Sequence, residues 1–338
     1  MLRARTAAVA VLAFLLIIAV TGPASPALAQ ARRDTVTVAM DWIISGYHAP
    51  FFVALAKGHY DREGITADIK RGFGSADGIK RVAVGTATFV FGDLGTMVRL
   101  RSEGLPVRMV ASGFVQAPGE VVMRKDSGLR TAKDLEGKRI VMQIGGPLDF
   151  QLRAVFEKAG ANYATVKRIT LDPALWPGAL IEKKVDAVTG FVSDESIIVE
   201  ARGVPVNVIR FAEHGVDIYG NGVVASEKLI RESPDLIRRF LRAAHQGYRD
   251  ALASPEEAIG IVLRYAPELA KDREIHLKGL KRGLEISVDD AVRQHGFGYM
   301  AAGRMKNTVE LARSMFNIKT PVPIEEVYTT ALLPGIRP

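Results

Sequence analysis

The chain has 338 residues, 45 lysines and arginines against 37 aspartates and glutamates, a formal charge of +8, 6 histidines and no cysteine. Without thiols there is no disulfide framework, no lipid-bearing N-terminal cysteine and no cysteine nucleophile. The basic residues are spread along the chain and not interleaved with aromatics, which excludes a nucleic-acid-binding stripe and reads as solvated surface.

The first residues carry an export signal. Arg3 and Arg5 precede an apolar run over 7–20, the breakers Gly22, Pro23 and Pro26 follow, and Ala27-Leu28-Ala29 supplies a small-residue cleavage site. This pattern predicts a signal peptide over 1–29, cleaved after Ala29, and a soluble periplasmic protein. The apolar run is shorter than the roughly 20 residues of a spanning helix. Cleavage leaves roughly 300 residues, more than one hydrophobic core usually serves, so two lobes are expected.

Residues 35–40 alternate Val36, Val38 and Met40 and predict a first strand. It runs into Asp41-Trp42, a glycine-containing turn with His48, and a helix from Pro50 that stops at Gly58. Residues 65–69 alternate again, leading through Arg71-Gly72-Phe73-Gly74-Ser75 into a helix near 77–84. A third strand at 88–91 ends in Gly92-Asp93 before a helix that closes at Gly104, and 106–111 is a fourth strand. The repeating strand, loop and helix predict a mostly parallel sheet.

A second unit begins near Lys125, with strands at 138–143, 166–171, 185–189 and 206–211. Helices follow Gly145-Gly146-Pro147 and, from about Asp194, Gly190-Phe191; residues 173–183 are mainly helical. Tyr219-Gly220-Asn221-Gly222 returns the chain to a further apolar run, and from Ser226 onward the pattern is helical. Ser233-Pro234 marks an N-cap, and Ser254-Pro255-Glu256-Glu257 a capping box. These last helices have no sheet of their own, so they must pack on one already made. The economical arrangement is a discontinuous lobe, 31–123 plus 222–338, enclosing a second lobe at 124–221, with two chain crossings as a hinge.

Five strand-to-loop junctions look equivalent: Asp41-Trp42, 71–75, Gly92-Asp93, 145–147 and Gly190-Phe191. Ligands in open α/β sheets are held past the carboxyl ends of strands, and glycines there let backbone come close. Trp42 is a stacking platform or a core plug. His48 meets a ligand or bonds locally. Asp41 and Asp93 accept from a ligand amine or cap helices. Gly74 and Ser75 lie at one helix start, and Gly145 and Gly146 offer N–H groups to a carboxylate, sulfonate or phosphate at another. Phe191 adds an aromatic, and Glu195 faces the cleft or solvent from the next helical turn. Tyr219 and Asn221 lie at the return crossing as contacts or hinge residues. No HExxH, G-x-S-x-G or Walker pattern is present, so no catalytic residue, metal or cofactor is expected.

Several stretches together resemble the periplasmic solute-binding proteins of ABC importers in the nitrate, sulfonate, taurine and thiamine-pyrimidine-precursor class. They are MDWIISGYHAPFFVALAKGHYDREGI, RGFGSADGIKRVAVGTATFVFGDLG, GLPVRMVAS, TAKDLEGKRIVM and VDAVTGF, with a looser SPDLIRRFL. The resemblance implies an α/β, type II periplasmic binding-protein fold with two Rossmann-like lobes and a cleft between them. It also implies a monomer that delivers a small solute to a membrane permease with a cytoplasmic ATPase. Asp41-Trp42 with His48, and VDAVTG with Glu195, resemble the pyrimidine-precursor binders most. That implies Trp42 stacks on a flat heterocycle, with Asp41, His48 and Glu195 as polar partners. A sulfonate, nitrate or aromatic carboxylate is the alternative within the class. A pyrimidine synthase of thiamine biosynthesis shares the scaffold, but the chain lacks that enzyme's cysteine cluster. A binding protein that feeds a sensor is the remaining alternative.

Overall fold

A computed structural model describes residues 33–338; the signal peptide over 1–29 and its cleavage site lie outside the described residues. The first lobe opens with β1 (Asp34–Ala39), α1 (Ala49–Ala56), α2 (His59–Arg62), β2 (Ile65–Lys70), α3 (Ser75–Ala83), β3 (Phe89–Asp93), α4 (Leu94–Ser102) and β4 (Val107–Ser112). The second comprises β5 (Gly119–Arg124), β6 (Arg139–Val141), α5 (Pro147–Lys158), β7 (Lys167–Ile169), α6 (Trp176–Ile181), β8 (Ala187–Phe191), α7 (Glu195–Ala201) and β9 (Val206–Arg210). The chain then returns through β10 (Asn221–Ser226) to α8 (Glu227–Glu232), α9 (Pro234–Ala253), α10 (Pro255–Tyr265), α11 (Arg273–Glu285), α12 (Asp290–His295), α13 (Ala302–Met315) and α14 (Ile324–Val327).

Each lobe is built on one five-stranded sheet, in the order β2-β1-β3-β10-β4 and β7-β6-β8-β5-β9. In both, four strands run the same way and the fifth runs against them. That fifth strand is the one on which the chain arrives from the other lobe. β10 enters between β3 and β4, with Asn221 opposite Asp93, and β5 enters between β8 and β9, with Gly119 opposite Phe191. Both crossings therefore reach their sheets at the carboxyl ends of the parallel strands. The mostly parallel sheet expected from the repeats is thus interrupted once in each lobe.

The expected lobe boundary at 123/124 falls on the wrong side of β5. Residues 119–123 pair with β8 and β9, so this strand belongs to the second sheet. It carries Glu120 at a buried position between apolar neighbours, which breaks the strand's hydrophobic signature. The central β3, FVFGD, is buried along its whole length, as a strand covered on both faces must be.

The C-terminal helices pack on the first sheet's lobe as expected, with α9 lying along α1. Ser233 and Ser254 do stand at the N-caps of α9 and α10, with proline in the first turn, but neither side chain makes a capping hydrogen bond. The capping box at Ser254 is absent because the residue also ends α9, where its N–H is bonded to the Asp250 carbonyl at 3.0 Å. Among the described residues no helix is long and apolar enough to cross a membrane.

Candidate ligand-binding site

The loops after β1 and β2 are zipped together. Gly72 N–H donates to the Trp42 carbonyl and Gly74 N–H to the Asp41 carbonyl, both at 2.8 Å. A Cβ at Gly72 would lie 1.8 Å from the Met40 carbonyl oxygen, so no other residue permits this approach. The zipped loops hold Asp41 and Trp42 out past the sheet edge.

Asp41 is almost fully used by protein. Asn221 Nδ2 donates to its Oδ2 at 2.7 Å, and the Tyr47 hydroxyl stands 3.3 Å from both oxygens. His48 Nε2 lies 2.8 Å from Oδ1. Since His48 Nδ1 accepts from the Ser45 N–H at 3.1 Å, Nε2 is the donor in that pair. The carboxylate thus ties the end of β1 to the start of β10 and to the turn Gly46–His48. It does not cap the following helix, and one of its edges still borders the cleft. His48 is wholly buried and closes a capping box with Ser45, so the ligand contact expected of it is replaced by this structural bond.

The facing wall comes from the end of β8. Glu195 Oε2 turns back to accept from the Phe191 N–H at 3.1 Å, and a Cβ on Gly190 would stand 1.8 Å from that oxygen. Glycine at 190 is what leaves room for the carboxyl group. Beside it, Asp194 accepts from the hydroxyls of Ser193 and, across the cleft, Ser45. Burial raises the pKa of Asp194, and hydrogen bonds from the two serines and the nearby His276 oppose this. Glu195 is raised well above the ordinary carboxylate range, first by burial and then by the charges of Asp194 and Glu120. Glu120 lies behind them; burial pushes it up to about 7 against a bond from the Ser196 N–H at 3.3 Å.

Between these walls lies a cleft with about 540 Å³ of empty space, part of it open to solvent. Asp41, Trp42, Tyr47, Gly74 and Ser75 border it from one lobe. Gln143, Pro147, Leu148, Trp176, Gly190, Phe191, Asp194 and Glu195 border it from the other. The indoles of Trp42 and Trp176 meet with ring centroids 6.2 Å apart and planes inclined at 51°, forming an aromatic corner. Trp176 is fixed by its own Nε1–H, which donates to the Leu171 carbonyl at 3.1 Å. Among the described residues three carboxyl groups border the cleft, and no lysine or arginine does.

Of the residues expected at the site, Asp41, Trp42, Gly74, Ser75, Phe191 and Glu195 come together on the cleft. Asp93 instead caps α4, accepting from Thr96 N–H and Oγ1 at 2.6 and 2.7 Å, and burial pushes it up to about 6. Gly145 and Gly146 do not border the cleft, and their N–H groups are already bonded to Asp149 Oδ2 and the Gln143 carbonyl. The expected anion cradle is therefore not formed by those atoms. Tyr219 is buried, its hydroxyl accepting from the Ala301 N–H at 2.7 Å, and Asn221 supports Asp41 from behind. Sequence reasoning missed Tyr47, Gln143, Leu148, Trp176 and Asp194. Tyr47 and Asp194 each adjoin a residue it did choose, and Trp176 is the second of only 2 tryptophans.

Two α/β lobes, two crossings and a cleft at the strand ends define the type II periplasmic binding-protein fold. The solved alkanesulfonate-binding protein SsuA from Xanthomonas axonopodis pv. citri, bound to MOPS, shares it. The TM-score is 0.68 at 14% identity, covering 88% of this chain and 99% of that one. The chain belongs to the NMT1/THI5-like family, whose profile matches residues 45–258. It is 31% identical to the riboflavin-binding protein RibY of Chloroflexus aurantiacus over 99% of each chain. It is 26% identical to a formylaminopyrimidine-binding protein of Halalkalibacterium halodurans, over 68% of this chain and 70% of that protein.

Proposed function

We propose that this protein is the periplasmic solute-capturing component of an ABC importer. Its solute is a flat, uncharged nitrogen heterocycle, a thiamine pyrimidine precursor or a flavin. The observation that carries this reading is the cleft's lining: an aromatic corner of two tryptophans, three carboxyl groups and no lysine or arginine. A ring laid on one indole meets the other edge-on, an arrangement aromatic groups favour. Asp194 and Glu195, held toward the protonated form, face ring N–H groups as acceptors and ring nitrogens or carbonyls as donors.

The same lining disfavours the sulfonate, nitrate and carboxylate alternatives. An anion entering the cleft gives up its water, and among the described residues no lysine or arginine borders the cleft to replace it. Both relatives named above are binding proteins for nitrogen heterocycles, and this supports the reading. An enzyme reading finds less support, since Asp41 is bonded on several sides and both relatives are named as binding proteins. The leader at 1–29 fits export, and a monomer that hands its solute to a permease and ATPase completes the proposal.

Calorimetric titration of the mature protein tests it, using riboflavin, a formylaminopyrimidine, MOPS and nitrate. Expected is saturable binding of one heterocycle, with quenching of tryptophan fluorescence, and no heat from nitrate. Tighter binding of MOPS or nitrate than of either heterocycle would overturn the reading.

A further inference from the structure

Outside the cleft, the two lobes also touch through an aromatic contact. Phe150 on α5, in the second lobe, meets Phe316 at the end of α13, in the first, with ring centroids 4.2 Å apart and planes inclined at 45°. Each ring carries a guanidinium from its own lobe. Arg153 lies 5.5 Å from the Phe150 centroid and Arg99, on α4, 5.7 Å from that of Phe316. The Arg99 side chain is bonded at one end to Glu103 at 2.7 Å, and its Nε is buried without a hydrogen-bond partner. Gly95 leaves space for the Phe316 ring; a Cβ there would sit 3.4 Å from it.

Arg99, Phe316, Phe150 and Arg153 thus form a continuous ladder from one lobe to the other. Neither phenylalanine borders the cleft. Arg304 also reaches Asp217 at 3.6 Å near the return crossing, away from the cleft, and two further side-chain bridges between the lobes involve cleft residues: Ser45 to Asp194, and Gln143 Nε2 to the Phe73 carbonyl at 3.5 Å. A solute that enters the cleft acts on those bridges directly. It leaves the ladder alone.

We propose that the Phe150–Phe316 ladder is a clasp that sets the fraction of molecules with closed lobes, and through it the affinity for solute, without touching the solute. Apparent affinity falls in proportion to the fraction of the binding-competent form. An aromatic pair of this kind changes that equilibrium by about two- to tenfold. The proposal rests on the capture function above only for its affinity arm.

The chain's lack of cysteine makes the test direct. Exposed Val84, in the first lobe, and Lys133, in the second, are changed to cysteine and spin-labelled, and the distance distribution is measured without ligand. In this background Phe316→Ala and Phe150→Ala are each expected to move population to a new separation. Phe316→Tyr, which keeps the ring, is expected to match the parent. Riboflavin affinity should fall about two- to tenfold in each alanine variant, and the double variant should be no weaker than the worse single one. An unchanged distance distribution in Phe316→Ala, a shifted distribution with unchanged affinity, or additive losses in the double variant would each overturn the clasp. If the parent binds neither riboflavin nor a formylaminopyrimidine, the functional reading falls, and the spin-label distances still decide whether the clasp exists.

Discussion

Gly190 decides where the Glu195 carboxyl group stands. A methyl group there would occupy the space of Oε2, 1.8 Å away, so Gly190→Ala must expel the carboxyl group from the floor of the cleft. Leaving the solute's N–H without its partner in the cleft costs about 1–3 kcal/mol, so binding of an N–H-bearing heterocycle should weaken about 5- to 150-fold. Calorimetry checks this, and a dissociation constant within about twofold of the parent would mean Glu195 does not touch the solute. Trp42 and Glu195 were legible in the sequence because each follows a recognisable strand end with a side chain unusual for a turn. His48 was not, for its chemistry looked equally suited to a ligand. Only the structure shows both ring nitrogens engaged, one with Ser45 and the other with Asp41.

At the scale of elements, the helix α11 shows how the two halves of the chain depend on one another. Gly279 lies so close to the second lobe that a Cβ would be 2.3 Å from the Ser193 carbonyl oxygen, and a Cβ on Gly46 would be 2.1 Å from the His276 carbonyl oxygen. This helix is therefore seated against backbone on both lobes, next to Asp194. Gly279→Ala should force it outward and cost about 1–3 kcal/mol, as overpacking does, seen as a lower urea midpoint with unchanged slope. An unaltered midpoint would show that the contact relaxes freely. The sequence showed that the C-terminal helices lacked a sheet, and hence where they had to go. It did not reveal β5, because Glu120 interrupts its apolar pattern, nor that the crossing strands run antiparallel.

For the whole molecule, buried acids set how stability varies with pH. Burial raises Glu120 to about 7 and Asp93 to about 6, and raises Asp194 and Glu195 as well. The folded form therefore holds protons that the unfolded chain releases near pH 4. Stability should fall as pH rises from about 4 through about 7, as the folded form loses the protons held by Asp93 and Glu120. Acids held low, such as Asp126 beside Arg124 and Asp186 beside Arg139, act below this window. Melting temperatures measured between pH 4.5 and 8 should decline, and Glu120→Gln should flatten the upper part of the curve. A rise through this window, unaffected by that substitution, would contradict the burial argument. The sequence by itself determined the alternation of strands and helices, the need for two lobes and the strand ends where a site must lie, because periodicity and turn residues are local. The tertiary structure decided which of those ends face one another. It brought Trp42 to Trp176 and Ser45 to Asp194, and it turned Asn221, far along the chain, into the partner of Asp41. Those pairings depend on two chain crossings whose geometry no local pattern encodes.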